Sequence, residues 1–205
     1  MNMNTGFENM SNQELLVNLV GRDIAKALSH KPLAEIFEFR RSRQMELEMG
    51  EELAPYIVHP ALAAAKELMA RCMCEQMKAE DLCMTSPGSA ASFLCTKIGH
   101  LEHEAFWCLW MDARHHLIAA QEMFRGTLTQ TSVYPREVVK HALKHNASAV
   151  VLAHNHPSGI TVPSRADETL TSTLKAALAL VDVTVLDHFI VGGNQSMSFA
   201  QRGLL

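Results

Sequence analysis

Two histidines and an aspartate stand close together in residues 153–167, AHNHPSGITVPSRAD. Side chains alternate along a strand, so His154 and His156 would project from the same face. They follow the apolar run of residues 149–152, which predicts the carboxyl end of a buried strand, where α/β sheets place their ligand sites. Asp167 would lie in the first turn of the next helix. Three N and O donors with a free fourth position describe a catalytic zinc site, in which the metal lowers the pKa of a water.

Each part of this pattern also has a purely structural interpretation. A lone His-x-His pair on a strand is more often structural or exposed. Ser164, three residues before Asp167, can be only a helix N-cap followed by an acid in the first turn, which contributes about 1 kcal/mol. Found together in one stretch, the residues favour a metal site.

The N-terminal part of the chain shows helical periodicity. A capping box at residues 11–14 predicts a helix that ends near residues 29–32, and a second helix is predicted over residues 33–49. Pro60 fits the first turn of a third helix over residues 60–77. Residues 1–84 are therefore predicted to form a small all-helical segment, and TSPGSAASF, residues 85–93, is predicted to be the domain boundary.

After this boundary, strand and helix patterns alternate. Strands are predicted over residues 104–112, 117–127, 147–156 and 182–193, with a last short one at residues 197–200, and helices over residues 134–146 and 164–181. Trp107 and Trp110, three residues apart in the first strand, would pack on opposite faces. This alternation predicts that residues 85–205 form an α/β sandwich on a mixed sheet.

The amino-acid composition indicates a folded protein and does not indicate a basic surface that binds anionic partners. Of 205 residues, 48% are hydrophobic and 20% charged, which is enough for a packed core. The net charge is −4. Residues 1–84 carry 9 basic against 13 acidic side chains, and the remainder carries 9 of each. This balance gives no indication of a nucleic-acid or anionic-membrane surface.

The cysteines indicate a reducing environment. There are five, an odd number, with no Cys-x-x-Cys pair. The sequence shows neither a signal-peptide pattern nor an apolar run long enough to span a bilayer. We therefore expect a cytoplasmic protein, away from membranes, whose free thiols act mainly as small buried hydrophobes.

The spacing His-x-His, seven residues, Ser, two residues, Asp resembles the JAMM (MPN+/JAB) metalloprotease motif. The variant HNHPSG…PS..D, followed by LDHFIVGG and preceded by GTL…V.PREVVKHAL..NA, resembles the bacterial RadC family more narrowly, over about residues 85–205. The resemblance implies a deaminase-like three-layer α/β/α sandwich. It also implies that His154, His156 and Asp167 hold Zn²⁺, and that Ser164 helps to stabilise an oxyanion.

The same resemblance implies a glutamate that exchanges protons with the water. The natural match is Glu104 in HEAFWCLWMD, with Glu102, Glu122 and Glu137 as competitors. The implied activity is hydrolysis of a peptide or isopeptide bond in a peptide or protein substrate. Neither the identity of that substrate nor the oligomeric state follows from the sequence. Asp187 and His188 could support a ligand, but a polar pair at the edge of the core is the preferred interpretation.

The N-terminal segment departs from the resemblance. RadC-like chains often carry a Gly-x-Gly helix-hairpin-helix loop that holds DNA phosphate. Here ALAAAKELMAR resembles the helix after that loop, but GEELAPYIVHP before it has no Gly-x-Gly. The segment therefore resembles a degenerate helix-hairpin-helix, and DNA binding by residues 1–84 is not expected.

Other function classes remain as alternatives. One is an accessory protein of DNA repair, or of nucleic acid in general, with a structural metal site, and another is a module that binds peptides without cutting them. An HNH nuclease would spread its histidines over a ββα-metal element. A zinc nucleobase deaminase would need His-x-Glu and Pro-Cys-x-x-Cys, which the sequence lacks.

Overall fold

The computed structural model describes residues 10–37, 59–78, 87–127 and 131–205. By Cα proximity the chain divides into two compact units, residues 1–68 and 69–205. The helices of the described part are α1 (Asn12–Val20), α2 (Arg22–Leu28), α3 (Leu33–Ile36), α4 (Pro60–Lys78), α5 (Pro87–Ile98), α6 (Pro135–Lys144), α7 (Arg165–Ala179) and α8 (Phe199–Arg202). The strands are β1 (Ala105–Met111), β2 (Leu117–Arg125), β3 (Ala149–Asn155), β4 (Thr184–Gly192) and β5 (Gln195–Ser198).

The first unit contains short helices around a small apolar cluster. The predicted capping box forms, because the Ser11 side chain accepts from the Glu14 N–H while the Glu14 carboxylate accepts from the Ser11 N–H. Gly21, at φ +82°, separates α1 from α2, where the sequence predicted one continuous helix. The buried members of the cluster are Leu16, Ala25, Leu28, Ile36 and Leu62. The predicted second helix begins at Leu33, and its part beyond Phe37 lies outside the described residues.

The described part of the predicted boundary stretch, from Pro87 onward, belongs to helix α5. Pro87 begins helix α5, which runs to Ile98. A proline costs nothing in a first helical turn, where the N–H has no intrahelical partner. Phe93, Leu94 and Ile98 then follow helical spacing and are buried in the core. The turn-like letters Pro-Gly-Ser are thus the start of a helix that covers one face of the sheet.

The second unit is built on a mixed five-stranded sheet in the order β2-β1-β3-β4-β5. The β3–β4 pair is parallel and the other pairs are antiparallel. Helix α7 connects the two parallel strands, as a crossover of this kind requires. The α/β fold with a mixed sheet that the sequence predicted is confirmed.

Strand β1 is buried along its whole length because helices cover both faces of the sheet. Trp107 packs on the α5 side, and Trp110 packs on the side of α6 and α7, as their spacing predicted. On the Trp110 side the helices contribute Val138, Ala142, Leu174 and Leu178. The three layers place the carboxyl end of β3 and the start of α7 at one edge of the core. Within the described residues, no helix is both long and apolar enough to cross a bilayer.

The secondary structure near the C-terminal end of the sequence differs from the prediction. The predicted strand at residues 197–200 is observed only for its first two residues, in β5, and Phe199 begins α8. Ser198 explains the change, because its side chain accepts from the Gln201 N–H and caps the helix. Phe199 then turns inward and is fully buried.

Candidate metal centre

The structure brings together the three residues of the predicted metal site. Nε2 of His154 lies 3.0 Å from Nε2 of His156 and 3.3 Å from Oδ1 of Asp167, and His156 Nε2 lies 3.7 Å from Asp167 Oδ2. Zinc–ligand bonds of about 2.0–2.2 Å in a tetrahedron place neighbouring ligand atoms about 3.4 Å apart. The observed spacing and the donor set of two imidazoles and one carboxylate therefore fit a zinc ion.

The backbone of β3 and of the loop after it orients His156. Its ring Nδ1 lies 2.7 Å from the carbonyl oxygen of Ile160, and since a carbonyl only accepts, Nδ1 carries the proton and donates. The neutral ring then has its lone pair on Nε2, which faces the other two donors. Gly159, at φ +78°, allows the turn that brings the Ile160 carbonyl back to the ring.

Asp167 is held by the capping box at the start of α7. Its Oδ2 accepts from the Ser164 N–H at 2.7 Å, and its own N–H donates to Ser164 Oγ at 3.2 Å. Partial burial acts to raise the pKa of Asp167. The hydrogen bond and charge of His154 and the hydrogen bonds from Ser164 outweigh that effect, and the pKa lies well below its usual range. The carboxylate is therefore ionised and ready to bind a cation.

Ser164 is a helix N-cap, which is one of the two roles that its position allowed. The cap uses a lone pair of Oγ and leaves the hydroxyl hydrogen able to point elsewhere. Ser164 is exposed, so its hydroxyl is accessible from solvent. Capping is thus compatible with donation of a hydrogen bond to a bound oxygen atom.

Glu104 lies immediately before β1, and its backbone is fixed. Its N–H donates to the carbonyl of Thr127 at 2.8 Å, and its own carbonyl accepts from the Gly126 N–H at 2.7 Å and from the Thr131 hydroxyl at 3.0 Å.

Burial raises the pKa of the Glu104 carboxyl. His154 and His156 oppose this rise and Asp167 adds to it, so the carboxyl lies within the electrostatic reach of all three. A carboxyl group with a raised pKa is suited to exchange protons near neutral pH.

Two competitors of Glu104 are engaged at other places. Glu122 accepts from Arg125 on β2 at 2.8 Å, and Glu137 lies 3.4 Å from Lys140 on α6. Glu102 is exposed. Glu104, in contrast, has a pKa that responds to the charges of the three clustered donors.

Asn155 ties the segment of Glu104 to the histidine strand, a role that the sequence analysis missed. Its side chain is buried, and its Oδ1 accepts from the Ala105 N–H at 2.8 Å. Its Nδ2 donates to the carbonyls of His103 and Leu101 at 3.0 and 3.3 Å. The period of two along β3 was the available signal, because it turns Asn155 away from its two histidine neighbours.

His188 is a partner of His154, and the preferred interpretation of an edge-of-core pair was wrong. His188 on β4 is fully buried, and its Nε2 lies 2.9 Å from Nδ1 of His154. The ring stacks on Phe199 with centroids 4.9 Å apart and meets Phe106 edge-on at 5.8 Å. Burial holds the pKa of His188 well below its usual range, and the charge of His154 acts in the same direction. Asp187 points elsewhere and accepts from Ser198 and from the Ala200 N–H.

A family model for the RadC-like JAB domain matches residues 84–204. The chain belongs to the RadC-like JAB domain family. Among its relatives are UPF0758 proteins of Nitrosomonas eutropha, 57% identical over 144 residues, and of Dechloromonas aromatica, 60% identical over 145 residues. Each of these alignments covers 70% of this chain and 64% of the relative. A third UPF0758 protein, from Aromatoleum aromaticum, is 59% identical over 157 residues, 76% of this chain and 68% of the relative.

The family match agrees with the observed α/β fold. The matched residues contain β1 to β5 and all three clustered donors. The names of the relatives state no activity.

Proposed function

We propose that this RadC-like JAB domain is a zinc-dependent hydrolase of JAMM type that cleaves a peptide or isopeptide bond. The observation that carries the proposal is the convergence of His154, His156 and Asp167, with their ligand atoms within 4.8 Å of one another. The carboxyl of Glu104 beside them has a raised pKa. A metal-ligand set together with a proton-exchanging carboxyl is suited to metal-dependent hydrolysis of an amide.

The five functional residues would divide the work. A zinc ion held by His154, His156 and Asp167 would supply a Lewis acid that polarises a carbonyl and lowers the pKa of a water. Glu104 would accept the proton of the attacking water and return it to the nitrogen of the leaving amine. Ser164 would donate its hydroxyl hydrogen to the oxygen that becomes negative in the tetrahedral intermediate.

The partner in this proposal is a peptide or protein and not DNA. The matched domain carries equal numbers of basic and acidic side chains after residue 84. Binding that relies on phosphate contacts weakens steeply with salt, since each contact releases counterions. We expect no such salt-dependent affinity for duplex DNA in a fluorescence anisotropy titration, and finding it would favour an accessory role on nucleic acid.

The first test is the metal content of the purified chain by elemental mass spectrometry. We expect about one zinc per wild-type chain, with loss in His154→Ala and in Asp167→Ala. Asp182→Ala, an exposed aspartate beyond the end of α7, serves as the control and should keep the metal. Absence of zinc from folded wild-type protein, even after incubation with the metal, would overturn the proposal.

The second test separates an enzyme from a metal-stabilised binding module. Glu104→Gln should lower the hydrolysis of a library of peptide and isopeptide substrates by about 100- to 10,000-fold, because it removes the proton acceptor. Its zinc content should not change, since Glu104 is not one of the three donors. Glu102→Gln is the matched control two residues away and should retain activity. Equal activity of Glu104→Gln and wild type would remove Glu104 from the mechanism.

A further inference from the structure

A chain of three short contacts runs from helix α7 through β4 to the metal centre. Thr171 Oγ1 lies 2.6 Å from the carbonyl oxygen of Asp167 and 2.6 Å from Nδ1 of His188. His188 Nε2 in turn lies 2.9 Å from Nδ1 of His154. Thr171, His188 and His154 are all at most 2% exposed, so solvent does not compete for these groups.

When both rings are neutral, only one assignment of protons makes all three contacts hydrogen bonds, and the burial of His188 disfavours its charged form. A carbonyl oxygen only accepts, so the Thr171 hydroxyl donates to Asp167. Its single hydrogen is then used, and Thr171 Oγ1 must accept from Nδ1–H of His188. Neutral His188 therefore has its lone pair on Nε2, where it accepts from Nδ1–H of His154. Neutral His154 is left with an unprotonated Nε2, the atom that faces His156 and Asp167.

We propose that Thr171 and His188 are positioning residues that fix the tautomer of neutral His154, with the proton on Nδ1 and with Nε2 as the ring nitrogen turned towards the metal position. This proposal rests on the proposed function only in taking His154 as a ligand. The chain of hydrogen bonds begins at the backbone carbonyl of Asp167. The carboxylate of the same residue is the third metal ligand of the site. Asp167 thus supplies a ligand atom through its carboxylate and, through its backbone carbonyl, fixes which nitrogen of His154 on β3 is protonated.

The orienting partner of His154 differs from that of His156. A metal-ligating histidine usually donates its second ring N–H to a carboxylate, a carbonyl or water. His156 follows this rule with the Ile160 carbonyl. His154 uses a second imidazole, which can donate as well as accept and therefore needs a fixed neighbour of its own. Thr171 provides that neighbour, and the rings of Phe106 and Phe199 hold the plane of His188.

The decisive variant is Thr171→Val, which keeps the branched shape and removes the oxygen that accepts from His188. Nδ1–H of His188 then has no acceptor, and the tautomer protonated on Nε2 becomes favoured. That tautomer donates to His154 Nδ1 and moves the proton of His154 to Nε2. We expect zinc to bind about 10- to 100-fold more weakly in competition with a chromophoric chelator. Long-range ¹H–¹⁵N spectra of the metal-free protein at about pH 8, where imidazoles are neutral, should show the exchanged tautomers.

Two further variants separate this effect from a change in packing. Thr171→Ser retains the hydroxyl and should restore both the zinc affinity and the wild-type tautomers. Thr173→Val is the matched control, because Thr173 makes the same bond to the carbonyl four residues back, at 2.8 Å, but is exposed. It should bind zinc as the wild type does.

Two results would overturn the proposal. One is wild-type zinc affinity in a folded Thr171→Val variant, and the other is a wild-type His154 protonated on Nε2 in the metal-free state. Failure of the proposed hydrolase would look different. The wild type would then bind zinc and show the expected tautomers, yet cleave no substrate.

Discussion

At the scale of single residues, the metal centre is organised by hydrogen bonds on the far side of each donor. The ring of His156 is anchored to the Ile160 carbonyl, and Asp167 to the backbone of Ser164. The anchor of His154 is His188, a buried side chain on the neighbouring strand. These outer contacts matter because an imidazole can bind a cation only through an unprotonated nitrogen. The site is thus prepared by residues that do not touch the bound ion.

Asn155 likewise positions Glu104, through hydrogen bonds to the backbone on either side of it. Asn155→Asp keeps the acceptor for the Ala105 N–H but places a carboxylate oxygen against the carbonyls of Leu101 and His103. Two partly buried carbonyls then lose their donor, which costs at most about 1–3 kcal/mol each. We expect a lower free energy of unfolding in urea and slower hydrolysis with zinc content retained, because Glu104 adjoins the displaced segment.

The control for this variant is Asn194→Asp in the exposed turn between β4 and β5. It makes the same chemical change in water and should stay within about 0.5 kcal/mol of wild type. An Asn155→Asp protein as stable as the wild type would show that the three hydrogen bonds of Asn155 do not hold the Glu104 segment.

At the scale of elements, the loop after His156 depends on a close approach of two backbones. A Cβ on Gly192 would lie 2.4 Å from the carbonyl oxygen of Gly159 and 2.6 Å from its carbonyl carbon. Gly192→Ala must therefore displace the loop that carries the Ile160 carbonyl, the anchor of His156. We expect a clearly weaker zinc affinity in chelator competition.

Gly203→Ala provides the comparison for Gly192→Ala. Gly203 has φ +68°, and a methyl group on its Cα would meet no neighbour within 4 Å, so its replacement strains the backbone without displacing a neighbouring chain. The strain should lower stability and leave the zinc affinity unchanged. Equal zinc affinity in both variants would show that the approach of Gly192 to Gly159 does not position His156.

Helix α5 shows where local patterns are sufficient and where they fail. The strands β1 and β3 and the helices α6 and α7 could be predicted because their apolar periodicity is local. The residue types Pro87 and Gly88 favoured a turn, whereas the burial of Phe93 and Leu94 against the sheet favours a helix.

The role of His188 could not be predicted, since its partner is 34 residues away and is reached only through the parallel pairing of β3 and β4.

The packing of α5 makes a direct prediction. Leu94 is fully buried in the core beside the sheet, so Leu94→Ala should lower the free energy of unfolding by about 2–5 kcal/mol. Ser89→Ala on the exposed side of the same helix should change it by less than about 0.5 kcal/mol. Urea denaturation followed by circular dichroism measures both. A loss below about 1 kcal/mol for Leu94→Ala would show that the packing of α5 against the sheet contributes little to stability.

At the scale of the whole molecule, the sheet with helices on both faces protects its interior strand β1. Cys108 on β1 is fully buried, and burial raises the pKa of its thiol far above the ordinary value. Alkylation needs the thiolate and access to it, so Cys108 can react only when the sheet opens. With iodoacetamide at neutral pH we expect rapid labelling of the exposed Cys72 and almost none of Cys108, as measured by mass spectrometry after digestion.

The opening of β1 that exposes Cys108 should also depend on the packing of α5, which covers the opposite face of the sheet. When opening is fast relative to labelling, the rate of labelling follows the equilibrium population of the open state. A loss of about 2 kcal/mol raises that population about 30-fold, so Leu94→Ala should accelerate the labelling of Cys108 by at least this factor. Cys72 is exposed already and should react at an unchanged rate in the variant. Acceleration of both cysteines together would indicate general loosening, and no acceleration of Cys108 would mean that β1 opens independently of α5.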